Sequence, residues 1–141
     1  MTNEIKISFE KPPVYDDICK TFSIIPRNVY YTYGDTIYNP DKLDIPPEII
    51  AHEEVHMRQQ NYNNEDASLW WGKYLREPEF RLNQEARGYG RQYEVICGII
   101  KDRNQRNKYL IQLAKSLSGP LYNNIISHNE AMKLIKSFSK I

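Results

Sequence analysis

Pro46-Pro47-Glu48-Ile49-Ile50-Ala51-His52-Glu53-Glu54-Val55-His56 is the stretch on which the reading of this chain turns. Two prolines ahead of a periodic apolar run suit a first helical turn, and Asp44 is the candidate capping carboxylate, so a helix is expected from about Pro46 to about Tyr62. On it Ile49, His52, Val55, His56 and Gln59 share one side, which predicts an inward face carrying both imidazoles. Residues four apart on a helix lie one above the other, so both rings can reach a single metal ion, with the Glu53 carboxylate beside the first. Glu54 points elsewhere and reads as a solvated charge.

The rest of the sequence bounds what such a helix can belong to. The chain has 141 residues, 19 basic against 18 acidic, enough for one domain and too balanced to suggest a nucleic-acid or anionic-membrane partner. No window approaches eighteen continuous apolar residues, and the start, MTNEIKISFEKPPVYDD, lacks a basic end followed by an apolar run. Neither a membrane span nor a secretory signal is therefore expected, and the expected compartment is the cytoplasm. Cys19 and Cys97 are too few for a disulfide scaffold and have no zinc-knuckle spacing, so both are expected to pack as small apolar residues.

Upstream, Ile5, Ile7 and Phe9 alternate with polar residues as in a short strand, and Asp16 to Phe22 suits a short helix. Asn28 to Tyr33 and Thr36 to Asn39 flank Gly34-Asp35, a two-residue loop with tight-hairpin chemistry. Downstream, Asp66 to Arg76 reads as a helix whose apolar residues are Trp70, Trp71, Tyr74 and Leu75. A longer helix begins at Pro78, with Leu82, Ala86, Tyr89, Tyr93, Ile96 and Ile100 as its buried stripe. Gly88 and Gly90 within it imply either a close contact or a break. Residues 104 to 118 form a further amphipathic pattern stopped by Gly119-Pro120, and Ser127-His128-Asn129-Glu130 reads as a capping box opening a last helix, with His128 in a structural role. The fold class expected is α+β and mostly helical: one domain over 1–141, strand-rich over 1–45 and helical over 46–141, with a small antiparallel sheet packed on a helix bundle.

A catalytic zinc takes three protein ligands and leaves a fourth position for water, so one ligand beyond His52 and His56 is needed. A ligand six residues after the second histidine would be Tyr62, and the glycine expected three after it is Gln59, which excludes the metzincin arrangement. A glutamate from a later helix remains. Glu85 is the best-placed candidate because it alone among the downstream acids lies squarely on the apolar stripe, where a carboxylate is costly unless a cation compensates it. Glu79, Glu94 and a loop acid stay open as alternatives.

His-Glu-x-x-His on one helix with a glutamate from a following helix resembles the gluzincins, and the short length is similar to that of their minimal members, the minigluzincins. HEEVHMRQQ (52–60) followed by WWGKYLREPEFRLNQEARGYGRQYE (70–94) is also similar to small HExxH proteins of bacteriophages and bacteria, over about residues 46 to 135. Those relatives often carry a second glutamate two after the first, where this chain has Arg87. The resemblance implies a zincin fold and a zinc metallopeptidase acting on a peptide or protein in the cytoplasm, that of a host if the chain is phage-encoded. By position it makes His52, His56 and Glu85 the zinc ligands and Glu53 the general base and later proton donor. It also implies a strand ahead of the active helix that pairs with extended substrate, for which Thr36 to Asn39 is the candidate. Oxyanion support would come from Tyr89, Tyr93, Tyr109, Tyr122 or His128.

Two other functions compete. The site could be structural, in a zinc-stabilised interaction protein without turnover. Alternatively, Lys101 to Lys108 with Tyr109 could form a nucleic-acid surface, although a net charge of +1 favours an ordinary solvated helix start.

Overall fold

The computed structural model describes residues 4–140. Among them six α-helices, one 3-10 turn and a three-stranded sheet follow the order β1 (Lys6–Ser8), α1 (Tyr15–Phe22), β2 (Tyr31–Tyr33), β3 (Thr36–Tyr38), α2 (Pro47–Gln59), α3 (Asn64–Arg76), α4 (Pro78–Ile99), α5 (Arg103–Leu117), the 3-10 turn Pro120–Tyr122 and α6 (His128–Phe138). The mostly helical α+β class expected from the sequence is the observed one. None of these helices is long and apolar enough to cross a membrane.

Gly34, at φ +64°, and Asp35 close β2 on β3 with Tyr33 opposite Thr36, the tight loop their chemistry favours. The sheet is not purely antiparallel, however. β1 pairs parallel to β3, giving the order β1-β3-β2, because α1 and the loop after it carry the chain across before the hairpin begins. β3 is therefore the central strand with both edges paired, and Thr36 to Asn39 offers no free edge to a substrate. The free edge facing the helices belongs to β2. In a two-residue hairpin, Thr32 falls at a non-hydrogen-bonded position, so its backbone groups point outward. Its carbonyl accepts from Gln60 Nε2 at 2.9 Å and from Trp71 Nε1 at 2.9 Å, while Gly34 N–H donates to Gln60 Oε1 at 2.8 Å. The fully buried Gln60 amide thus caps this end of the edge as a neighbouring strand would.

Helix termini follow local chemistry. α2 starts at Pro47 after an extended Pro46 with no side-chain cap; Asp44 does not cap it, its carbonyl instead accepting from the Tyr30 hydroxyl. The helix stops at Gln59, short of the expected Tyr62, because Asn61 and Tyr62 both turn left-handed. Asn63 caps α3 by accepting from the Glu65 and Asp66 N–H groups. Pro78 ends α3, since the residue before a proline is pushed out of helical geometry, and then opens α4 at a position needing no N–H. The Ser127–Glu130 capping box of α6 is present with both its bonds, and His128 Nε2 lies 3.3 Å from the Ile111 carbonyl, a structural placement.

Two apolar clusters support these elements. One joins α4, α5 and α6 through Leu82, Ala86, Leu110, Leu117 and Ile135; the other joins α1, β2 and α3 through Ile18, Tyr31, Trp70, Trp71 and Tyr74. α2 lies against α4, its Met57 fully buried. α4 runs without interruption past both glycines, each of which marks a close contact: a Cβ on Gly90 would lie 2.5 Å from that of Phe138, and one on Gly88 would lie 2.7 Å from His52 Nε2. Cys19 and Cys97 are free thiols, Cys97 buried in the first cluster and Cys19 half-buried. Arg106 donates to the Cys97 and Ile100 carbonyls, satisfying the C-terminus of α4.

Candidate metal centre

The inward face of α2 carries both histidines as the spacing predicts, but Ile49, Val55 and Gln59 are only half-buried at its margins. His52, Glu53 and His56 are all buried, together with Glu48, Ala51 and Met57, and Glu54 is half-buried rather than fully solvated. Opposite them, Glu85 projects from the second turn of α4 on the same face as Gly88 and Gln92, and the missing Gly88 side chain lets the two helices approach closely enough for it to arrive.

Three ligand atoms converge. His52 Nε2 and His56 Nε2 are 3.1 Å apart, and Glu85 Oε1 lies 3.0 Å from the first and 2.6 Å from the second. Glu79 is exposed, and Glu94 is occupied with Arg91 and the Lys140 N–H, so neither rival acid reaches the histidines. Among the described residues this is the grouping of histidine and acidic side chains able to hold a metal ion.

Each ligand is oriented from behind. His56 Nδ1 lies 2.8 Å from Gln59 Oε1, and the Gln59 amide nitrogen donates to the Gln84 carbonyl at 3.2 Å. A carbonyl only accepts, which fixes the amide and makes His56 Nδ1 the protonated nitrogen. His52 Nδ1 lies 2.8 Å from Gln92 Oε1, and the Gln92 nitrogen meets the Tyr109 hydroxyl at 2.6 Å. The Tyr74 hydroxyl donates to Glu85 Oε2 at 2.7 Å, leaving Oε1 for the histidines. Gln59, Gln92 and Tyr74 thus stand where outer partners of metal ligands stand, holding the tautomers and aiming the lone pairs.

Two ring nitrogens and a carboxylate oxygen thus point at one another from three side chains. That arrangement is repulsive unless a cation or a proton lies among them. The same field appears in the titration of the groups. Burial pulls the His56 imidazole down, but Glu85, with help from Glu53 and Gln59, raises it to about 9. Burial raises the Glu85 carboxyl, yet His56 and His52 hold it well below the usual carboxylate range. The donor set fits a metal: two imidazole nitrogens and a carboxylate oxygen meet in a triangle with sides of 2.6 to 3.1 Å, close enough for one ion to be held by all three. A His-His-Glu cluster able to hold a metal ion is what the fold builds.

Glu53 is held by a residue the sequence pattern does not single out: the buried Thr32 hydroxyl of β2 donates to its Oε2 at 2.6 Å. Aromatic rings close the site, Tyr89 edge-on to His52 at 4.9 Å and Trp70 tilted on His56 at 5.3 Å between centroids. Of the five candidates for oxyanion support, Tyr89 and Tyr122 line the cavity that contains Glu53 and the histidines. Burial, and then the charge of Glu85, hold both hydroxyls protonated well above the usual phenol range. Tyr93 packs in the helical cluster, Tyr109 supports Gln92, and His128 lies at the start of α6, so these three stand apart from it.

Compared with protein-family models, curated proteins and solved structures, the chain finds no match in any of the three.

Proposed function

We propose that the protein is a zinc-dependent metallopeptidase of gluzincin type. One observation carries the reading: His52 Nε2, His56 Nε2 and Glu85 Oε1 converge within 3.1 Å of one another, and the buried carboxylate of Glu53 borders the same cavity. His52, His56 and Glu85 would hold the ion, two imidazoles and a carboxylate being a known catalytic zinc set. When bound, the ion would supply Lewis acidity toward water and a peptide carbonyl.

The chain's own residues divide the remaining work. Glu53 takes a proton as the water oxygen bonds to the carbonyl carbon, and returns it to the amine nitrogen as the C–N bond breaks, so no proton is gained or lost. Thr32 occupies one oxygen of Glu53 and thereby aims the other, which keeps the base in one geometry through both transfers. The Tyr89 hydroxyl, which accepts from Tyr122, remains a neutral donor at working pH, the form in which a phenol can stabilise a developing oxyanion.

The test is to measure zinc content, and cleavage of casein and of a peptide library, for the wild type and Glu53→Gln. About one zinc per chain in both proteins, with cleavage reduced at least ~100-fold in the variant, is expected. Zinc-free protein, or equal cleavage by both, ends the proposal. If chelation unfolds the domain while Glu53→Gln changes nothing functional, the site is structural.

A further inference from the structure

Resting on the peptidase reading of this site, we infer that the substrate is an internal stretch of polypeptide presenting a large uncharged apolar side chain, and not a chain terminus or a charged side chain. The cavity that opens on His52, Glu53 and Glu85 has a volume of about 500 Å³, within the usual range of ligand sites. Its walls away from the metal ligands are mostly apolar, with Trp70 and Trp71 of α3, Ile49 of α2, Ile24 and Val29 of the loop before β2, and Leu121 of the 3-10 turn, and their polar members, such as Asn28 and Ser116, are uncharged. Ile24, Val29 and Leu121 are 52%, 36% and 40% exposed, so they form a greasy lip whose burial by a ligand is favourable.

Charge decides the class of substrate. Among the described residues lining the cavity there is no lysine, arginine or aspartate. An enzyme that trims from a C-terminus has to hold a carboxylate, which calls for a guanidinium or ammonium in the wall. Arg81 stands behind three lining residues, but its Nε donates to the Leu121 carbonyl and its Nη1 to the Tyr74 carbonyl, and its guanidinium lies over the Phe22 and Tyr74 rings. An enzyme that trims from an N-terminus has to hold an ammonium with an acid not otherwise engaged. Of the two lining carboxylates, Glu85 is engaged by the histidines and Tyr74, while Glu53 gives one oxygen to Thr32 and keeps the other for the proton transfers of the proposed reaction. A terminal charge or a charged side chain would enter unpaired into apolar surroundings, the costliest kind of burial, whereas an apolar side chain finds complementary walls.

Trp70 and Trp71 are the two tryptophans of the chain and both line the cavity, so intrinsic fluorescence reports its occupancy directly. The experiment uses a hexapeptide with Leu-Phe at its centre, acetylated and amidated, alongside three versions: with free ends, with Asp at the centre, and with Lys at the centre. Binding is read by fluorescence on zinc-loaded Glu53→Gln, and cleavage position by mass spectrometry on the wild type. The blocked apolar peptide is expected to bind and to be cut internally, freeing its ends to change affinity less than about twofold, and the Asp and Lys versions to bind at least ~10-fold more weakly. Ile24→Asp with Val29→Asp, both at exposed positions, should weaken the apolar peptide at least ~10-fold while zinc content stays that of the parent. Preference for free ends or for a charged centre, unchanged binding by the loop variant, or no binding of any peptide overturns the inference. Cleavage confined to termini or charged positions would do so while leaving the peptidase reading intact. Tight, selective binding of the blocked apolar peptide without cleavage by the wild type would refute that reading and leave the recognition standing.

Discussion

Gly88→Ala tests whether the approach of α4 to α2 sets the metal geometry. The added Cβ would lie 2.7 Å from His52 Nε2, 2.9 Å from Cε1 and 3.0 Å from Cδ2. Ordinary contact begins at 3.4 Å, so the ring has to retreat by about 0.7 Å. It has little freedom to do so, with Nδ1 bonded to Gln92 and the Tyr89 ring edge-on at 4.9 Å. Metal–ligand distances tolerate about 0.2 Å, so the displacement exceeds the tolerance roughly threefold and zinc affinity should fall at least ~10-fold. Stability changes less: overpacking costs about 1–3 kcal/mol, and replacing a helical glycine by alanine returns about 1 kcal/mol. Gly90→Ala is the control, because its Cβ would instead meet Phe138 Cβ at 2.5 Å and the Phe138 carbonyl carbon at 2.8 Å. That variant should lose stability and, once folded, keep its zinc affinity. Chelator-competition titration with thermal melts of the metal-free proteins separates the two effects. A folded Gly88→Ala protein that binds zinc as tightly as the wild type would show that His52 is not held where the argument puts it.

Tyr74→Phe removes the donor to Glu85 Oε2 and should weaken zinc binding about 10–100-fold in the same titration, with unchanged affinity counting against Tyr74 as an orienting group. Met57→Ala empties a fully buried position on α2 and should cost about 2–5 kcal/mol in denaturant unfolding, whereas a loss below about 1 kcal/mol would mean that α2 is not packed on a tight core. Glu130 is held below the usual carboxyl range by the Ser127 backbone N–H and hydroxyl. A folded-state pKa below the unfolded one gives stability present above the unfolded value and lost as pH falls through the folded one. Glu130→Gln keeps the capping box but should flatten that acid-side loss in melting temperature measured from pH 7 to pH 3; an identical profile would refute the capping role.

The elements that local chemistry dictates were legible in the sequence. The Gly34-Asp35 loop, the Pro78 boundary between α3 and α4, the Ser127 capping box and the Gly119-Pro120 stop each depend on a few adjacent residues, and each appears where expected. What was not legible depends on long-range placement. Nothing local says that β1 pairs parallel to β3, and that pairing removed Thr36 to Asn39 as a substrate edge. Periodicity marked Glu85 as a carboxylate on an apolar stripe, and the structure brings it to both histidines. Thr32, Tyr74 and Gln92 carry no motif, since an uncharged side chain aimed at a ligand from another element has the same local sequence as one aimed at water. The one available signal was burial: Gln92 lies seven residues after Glu85, on the same face of α4.

That spacing explains why Gly88 and Gln92 are where they are. From Glu85 to Gln92 one stripe of α4 faces α2 and carries, in order, a ligand atom, a missing side chain, an aromatic ring and an amide. Glu85 reaches both histidines, Gly88 gives clearance to the His52 ring, Tyr89 packs its edge on that ring, and Gln92 bonds its Nδ1. Glycine inside a helix costs about 1 kcal/mol and a buried polar side chain costs more unless bonded. A helix selected only for packing would carry leucine or alanine at these places, as the face turned toward α5 and α6 does with Leu82 and Ala86. The stability forgone on this stripe is concentrated on the position of a single imidazole, and the longest helix of the fold is specialised for placing His52.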